Sequence, residues 1–465
     1  MQPCNLRWGV PVVPTSLFPF TDLKVLVHVV LLCGYYFPDT VGGTEAYVQM
    51  LGRDLKDAGH EVTVVAPDTD DAPRSYEHGG LDVFRYPVSP HPDRAEVQER
   101  SSPQYLDVWK DWLGETQPDL VHMHSLTRGC STFHAQAVCN LGIPLCVTIH
   151  VPGVTCPRGT MMRWGSTPCD GEVRATRCGA CVLQEEGLLR PVAWGIGALS
   201  STGIGRVAPG RLRSVFDRGR IIEHRKQRMQ NWLRSANHVV VVAGWLKDVL
   251  RRNDIGPEHV TVSRHGLSDE MRSMQKAAAH RRGAHDSTKP LCVGFVGRFT
   301  EVKGIHVLVD AVCRLPSAVD VKARLYGMAQ SESDEQYLAG LKEKTRDEPR
   351  VQFCGPMTDE NRADAFASFD VLAVPSTWQE TGPYTVLEAF AADVPVLGSN
   401  HSGIRERVDD GSSGRLVPAG DPEAWAQALQ ELYHRHRSGN WSWDLPAPRT
   451  SKDVAREMIR LYRHA

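Results

Sequence analysis

Short, continuously apolar, β-branched runs recur along this chain, each followed by a loop and a helix-length segment. In the first half they fall at residues 24–32 (KVLVHVVLL), 61–66 (EVTVVA), 119–124 (DLVHMH), 144–150 (PLCVTIH) and 238–243 (HVVVVA). In the second half they fall at 291–296, 321–326, 351–354, 371–374 and 395–399. Runs without polar alternation are strands buried on both faces, which is the signature of a parallel sheet covered by helices. Strand–helix alternation on this scale predicts an α/β, doubly wound architecture. A chain of 465 residues exceeds one ordinary core, so two such domains are expected.

The boundaries follow from composition. Residues 1–22 carry Pro11, Pro14 and Pro19 with no regular period and read as an extension. Residues 23–265 form the first doubly wound domain, interrupted at 151–235 by a Cys-rich and basic insertion. The polar stretch 266–289 reads as a linker, and 290–440 as the second domain. Residues 441–465 end in an amphipathic helix at 452–462. Lys and Arg total 53 against 55 Asp and Glu, a balance that argues against a nucleic-acid binder. No apolar run approaches the length of a membrane span. The 12 Cys are expected as mostly reduced thiols in a cytoplasmic setting.

Ligand chemistry concentrates in loops that follow strands, where open α/β sheets bind their ligands. The stretch 375–388 leaves a strand through a Pro/Ser/Thr turn and enters a helix at Pro383. It presents Glu380 on the loop and Glu388 in the helix, with a helix N-terminus between them that suits an anion. Arg298 and Lys303 lie in a loop bracketed by Gly297 and Gly304. A guanidinium fork and an ammonium point charge beside free N–H groups are what a diphosphate needs. Gly42 and Gly43 sit at the entrance of another helix, where either a tight turn or close ligand approach explains them. His122 reads as a half-buried, satisfied histidine, whereas His124 and His150 stand at strand carboxyl ends as site candidates. Glu380 and Glu388 could also be read as a glycosidase carboxylate pair, but that chemistry has no need of a diphosphate loop.

The insertion carries Cys156, Cys169, Cys178 and Cys181, of which only the last pair is a CxxC knuckle. Three readings stay open: a structural four-thiolate zinc site, an iron–sulfur cluster, or unliganded thiols or disulfides. Residues 206–234 are basic, with Arg206, Arg211, Arg213, Arg218, Arg220, Arg225, Lys226, Arg228 and Arg234. They form either a solvated face or a surface that docks on anionic lipid.

Taken together, Gly297-Arg298-x4-Lys303-Gly304, Glu380-x7-Glu388, the Gly42-Gly43-Thr44-Glu45 turn and the Ser402-Gly403-Ile404-Arg405-Glu406 turn resemble the retaining glycosyltransferases of family 4. The likeness covers residues 24–465 and is weakest over 151–235. It implies the GT-B fold, two Rossmann-like domains facing across a cleft, with the last helix crossing back to the first domain. It also implies transfer of a sugar from a UDP- or GDP-linked donor to a glycan or lipid-linked acceptor, in polysaccharide or cell-envelope glycan assembly. By the same resemblance Gly43, Arg298, Lys303, Glu380, Gly382, Pro383, Tyr384 and Glu388 would bind the donor. His150 and Glu380 would be the catalytic groups, and His124 and Glu45 would face the acceptor. No cofactor is expected to be required for catalysis, and the metal expected at the cysteines is a structural zinc. The location implied is cytoplasmic, with peripheral contact on the inner face of the membrane. An epimerase or a non-catalytic sugar-binding scaffold on the same fold is the alternative. The chain departs from the family pattern at Gly382-Pro383, at Ser402, at Arg264-His265-Gly266 and in the Cys-rich insertion.

Overall fold

The computed structural model describes residues 27–39, 42–127, 129–200, 215–283 and 285–465. The extension at 1–22 and the basic residues Arg206, Arg211 and Arg213 lie outside the described residues. Two sheets carry the architecture. The first is built from β1 (His28–Leu32), β2 (Glu61–Asp68), β3 (Arg74–His78), β4 (Leu81–Pro87), β5 (Leu120–Met123), β6 (Leu145–Ile149), β9 (His238–Val241) and β10 (Val260–Val262), in the order β10-β9-β6-β5-β1-β2-β4-β3. All its pairings are parallel except the β3–β4 hairpin at the edge. The second, entirely parallel, joins β11 (Leu291–Val296), β12 (Val321–Tyr326), β13 (Val351–Gly355), β14 (Val371–Val374), β15 (Val396–Ser399) and β16 (Gly414–Val417), in the order β13-β12-β11-β14-β15-β16. The central strands are buried along their length, as continuous Val and Leu runs require when helices cover both faces.

The two units are joined by neighbouring segments. Leu267 N–H donates to the Arg449 carbonyl, and Ser451 N–H donates back to that of Leu267. Gly266 permits this approach, since a Cβ there would stand 2.3 Å from the Thr450 carbonyl oxygen. Thr450 and Asp453 then form a capping box that opens the last helix, Ser451–Tyr462. Val454, Ala455 and Met458 of this helix enter the core shared by helix Gly43–Asp57 and the first sheet.

The stretch 266–289 is not an open linker. It carries a helix, Asp269–Arg282, capped by Ser268. Ala278 is fully buried in the second unit, and Arg282 donates to the carbonyls of Ala392 and Asp393. The small apolar side of this helix is what packs, and its polar composition hides that.

The insertion has its own small core, with Ala180, Leu183 and Ala193 against Trp164, Leu188, Ile196 and Val215. A ribbon of β7 (Met162–Arg163) and β8 (Thr167–Pro168) precedes helices Ala175–Glu185 and Arg190–Ser200. Helix Arg218–Ser235 buries Met229, Trp232 and Leu233 against the first sheet. Its cations are engaged: Arg218 with Glu186, Arg220 with Asp217, Lys226 with Asp254, Arg228 with Glu99. Arg220, Arg225 and Arg234 remain exposed on the outer side of this helix, so its described cations form a solvated face laced with ion pairs.

Candidate functional site

Strand order fixes where the site lies. In the second sheet β11 pairs with β12 on one side and β14 on the other, so the chain's winding reverses between β11 and β14. The loops leaving their carboxyl ends must diverge there and open a crevice. These are the loops that carry Arg298 with Lys303 and Glu380. In the first sheet β1 pairs with β2 and β5, so the equivalent crevice is lined by the start of helix Gly43–Asp57 and by His124.

The two loops of the second unit touch closely. Gly304 has φ +70°, and a Cβ on it would stand 1.9 Å from the Pro375 carbonyl oxygen, so only glycine fits. Thr377 N–H donates to the Val302 carbonyl, and Lys303 Nζ lies 2.6 Å from Glu380 Oε1. Ser376 Oγ donates to the same oxygen at 2.8 Å. Burial alone would raise the Glu380 carboxyl, but Lys303 and these donors outweigh it and hold it below the usual carboxylate range. Glu388, from the second turn of helix Tyr384–Ala391, pairs with Arg362 at 3.0 Å. There burial wins over the arginine, and the carboxyl is pushed up. Arg298 is exposed and, among the described residues, donates to Gln330 at 3.3 Å. The structure thus brings Lys303 and Glu380 together, gives Glu388 a separate partner and leaves Arg298 at the rim.

Pro383 is the N-cap residue of its helix, one position earlier than the sequence suggests, and Tyr384 is the first helical residue. Gly382 has φ +114° and approaches the Arg407 guanidinium. A Cβ built on Gly43 meets nothing within 4 Å, so space opens in front of that backbone. Gly42 is the constrained member of the pair, because the Glu45 carboxylate folds over it.

Between the two units runs a seam of rings. His124 Nδ1 is 3.2 Å from His150 Nε2, and Tyr47 meets His150 edge-on with centroids 4.7 Å apart. His265 stacks on Tyr384 at 4.6 Å and on His150 at 6.1 Å. Thr381 Oγ1 donates to the His150 carbonyl at 2.8 Å. Tyr47 Oη, His124 Nε2, His265 Nε2, Tyr384 Oη and Arg407 Nη2 are buried there without a hydrogen-bond partner. Buried polar atoms are almost always paired, so such a cluster marks a place for a polar ligand. Burial pushes the His150 ring down to about 3 and holds His124 and His265 well below the ordinary range, with neighbouring charged groups adding to it. These rings are therefore neutral hydrogen-bonding groups at pH 7. His122 is satisfied, bonded to Tyr462 Oη and Thr148 Oγ1 at 2.7 Å each.

The insertion reaches this site. Gln379 Nε2 donates to the carbonyls of Met161 and Cys169, both at 2.9 Å. Cys181 Sγ accepts from Trp164 N–H at 3.3 Å. Cys156, Cys169, Cys178 and Cys181 do not bring three sulfurs within 4.8 Å of one another, so a four-thiolate site would require the segment to close further.

Sequence reasoning missed Tyr47, Arg362, Arg407 and the roles of Ser376 and Glu406. Glu406 accepts from the N–H groups of Gly244 and Trp245 at 2.8 and 2.6 Å, capping a helix of the opposite unit. Its place in the Ser402–Arg405 turn region was the available signal. Tyr47 and Arg362 sit on ordinary amphipathic helices and carried none.

Two doubly wound sheets facing each other across a polar seam, each with a crevice at its switch point, define the GT-B fold. The family model for glycosyl transferases group 1 matches residues 290–435, and that for the glycosyl transferase 4-like domain matches residues 42–190. The chain belongs to glycosyltransferase family 4. It is 25% identical to the phosphatidyl-myo-inositol mannosyltransferase of Mycobacterium leprae over 86% of each chain. It is 29% identical to the D-inositol 3-phosphate glycosyltransferase of Corynebacterium urealyticum, over 37% of this chain and 42% of that one. The match to the Corynebacterium kroppenstedtii protein of the same name spans 41% of its length. Among solved structures it resembles sucrose-phosphate synthase from Thermosynechococcus elongatus, with a TM-score of 0.65 at 20% identity over 94% of this chain and 98% of that one. It also resembles the Anabaena HepE protein in complex with UDP-glucose, with a TM-score of 0.62 at 16% identity over 94% and 100% of the two chains.

Proposed function

We propose that this chain transfers a sugar from a nucleotide diphosphate sugar, UDP- or GDP-linked, to a hydroxyl of a glycan or lipid-linked acceptor, with retention of anomeric configuration. The observation that carries this reading is the Lys303–Glu380 pair at the second sheet's switch point, facing a seam of buried, unpartnered polar atoms. When donor binds, Lys303 exchanges part of its contact with Glu380 for the diphosphate. Arg298, exposed and weakly held, closes onto it from the rim. Glu388 accepts from the ribose hydroxyls, and Glu380, Gly382, Pro383 and Tyr384 surround the donor sugar. Gly43 leaves backbone room for the phosphate, while His124 and Glu45 face the acceptor.

The chemistry then needs no charged base from the protein. The bond between the anomeric carbon and the phosphate oxygen breaks, and the acceptor oxygen bonds to the same face of that carbon. The acceptor proton passes to the departing phosphate. Neutral His150 hydrogen-bonds a sugar hydroxyl, and the fixed cations stabilise charge as it builds on the diphosphate. Polysaccharide or cell-envelope glycan assembly is the setting we assign.

Peripheral membrane contact belongs to the same proposal. Its support is the exposure of Leu189, Val192, Trp194 and Leu199 at helix Arg190–Ser200. No helix among the described residues is long and apolar enough to cross a membrane. The deciding experiment is a thermal-shift screen over nucleotide sugars, followed by NMR of the glycoside product. A melting-temperature rise with one donor and a product of unchanged anomeric configuration support the reading; an inverted product overturns it.

A further inference from the structure

On the far side of the second unit, three chain segments bring His285, Asp370 and His436 together, with one ligand atom from each all within 4.8 Å of one another. His285 lies just before β11, Asp370 just before β14, and His436 in the last turn of helix Pro422–Arg437. We propose that these residues form a divalent transition-metal site suited to Zn2+, remote from the donor crevice.

The hydrogen bonds around the three groups carry the argument. His436 Nε2 lies 2.9 Å from the Lys289 carbonyl, so that nitrogen holds the proton and donates. Its Nδ1 then presents a lone pair, and this atom is buried without any partner in a residue only 1% exposed. His285 Nε2 lies 3.1 Å from the His436 carbonyl, which fixes the same tautomer there. Asp370 Oδ2 accepts from Cys292 N–H at 2.8 Å, leaving its other oxygen for a ligand. Each group is thus held by a backbone contact that orients its remaining lone pair, as metal-ligating side chains are held by their outer partners. A histidine pair kept only for packing would leave His436 Nδ1 as an uncompensated buried acceptor.

The surroundings suit a cation. His285 and Asp370 line a cavity of about 700 Å3, which gives room for water at a fourth position. Its wall carries Asp286, Asp370, Asp393 and Asp444 against Arg282 and Lys289, so carboxylates outnumber cations. Tetrahedral zinc ligands stand about 3.3 Å apart at Zn–N lengths of about 2.0–2.1 Å, so modest side-chain rotation closes the set. Trp441 stacks on His285 at 5.5 Å and meets His436 edge-on at 5.6 Å. The ion would therefore pin the segment entering the second unit to the one leaving it.

Metal-stripped full-length protein titrated with Co2+, an optical stand-in for zinc, tests this. The expected result is one bound equivalent with visible d–d bands that persist in a Cys156→Ser variant. His285→Ala and Asp370→Asn, each with a wild-type circular dichroism spectrum, should weaken Co2+ binding by roughly tenfold or more. Should either variant fold poorly, Zn2+ should still raise the wild-type melting temperature without raising that variant's. A wild-type chain that takes up no Co2+, variants that bind as tightly as wild type, or cobalt uptake that depends on Cys156 overturns the assignment.

Discussion

Lys303 Nζ and Glu380 Oε1 stand 2.6 Å apart although 77 positions separate them in the chain. Each comes from one of the two loops that diverge at the switch point, and Gly304 makes the meeting possible. With no donor present the carboxylate occupies the lysine and keeps a charge that burial would otherwise suppress. The pair thus holds the cation in place beside the crevice where we propose that the diphosphate binds.

Removing the lysine should therefore have two separable effects. Lys303→Ala should lower nucleotide-sugar affinity by about 1.5–3 kcal/mol, the usual scale for a charged hydrogen bond. It should also destabilise the free protein, because Glu380 is left buried without its partner. Calorimetric titration and urea unfolding read these independently. Unchanged donor affinity would remove Lys303 from the diphosphate site.

Gly304→Ala tests the loop contact itself. A side chain at φ +70° is strained by about 1–2 kcal/mol, and here its Cβ would also strike the Pro375 carbonyl. The loss of stability should exceed that of Gly43→Ala, where a Cβ meets nothing within 4 Å. Donor binding should weaken in both, at Gly304 because Lys303 is displaced and at Gly43 because the new methyl intrudes on the ligand's space. Equal unfolding midpoints for the two variants would contradict this geometry.

Much of the framework was legible in the sequence, because apolar runs without alternation have few other homes than a covered parallel sheet. The loops carrying Lys303 and Glu380 could be read for the same reason: Gly and Pro mark them, and strand ends place them. Strands β3, β4, β10 and β16 went unread, being short or carrying polar residues such as Arg74, Glu77 and Arg415. The ring seam was illegible in principle. His265 and Tyr384 meet only when two separately folded units face each other, and no local pattern encodes that contact. The helix Asp269–Arg282 was masked by charge on its outer face.

Acid should weaken this fold well before carboxylates protonate. Burial holds His122, His134 and His150 at about 3, against about 6.5 in an unfolded chain. Their folded values are depressed, so the stability they contribute is complete above pH 6.5 and falls as pH drops from there toward 3. The slope is about 1.4 kcal/mol per pH unit for each histidine. Glu380, also depressed, contributes only above the ordinary carboxylate range and is lost at more acidic pH. Urea unfolding at pH 7 and pH 5 should show a clear drop; equal stabilities would mean that these rings are protonated in the folded state.

Gln379 offers a test of how the insertion serves the site. Its amide bridges the Met161 and Cys169 carbonyls, one residue from Glu380. Gln379→Ala deletes both bonds; the Met161 carbonyl keeps the Cys169 N–H as donor while that of Cys169 loses the Gln379 amide, a loss of about 1–3 kcal/mol in local stability. Because the insertion has its own small core, that loss should appear as local opening rather than global unfolding. Hydrogen exchange should speed up across 161–169 while β1 and β11 keep their protection. If the bridge also positions the Glu380 loop, the variant should lose catalytic rate with the donor but keep nucleotide binding. Wild-type exchange at 161–169 would show that the insertion is held by other contacts, and that Gln379 matters to the donor loop alone.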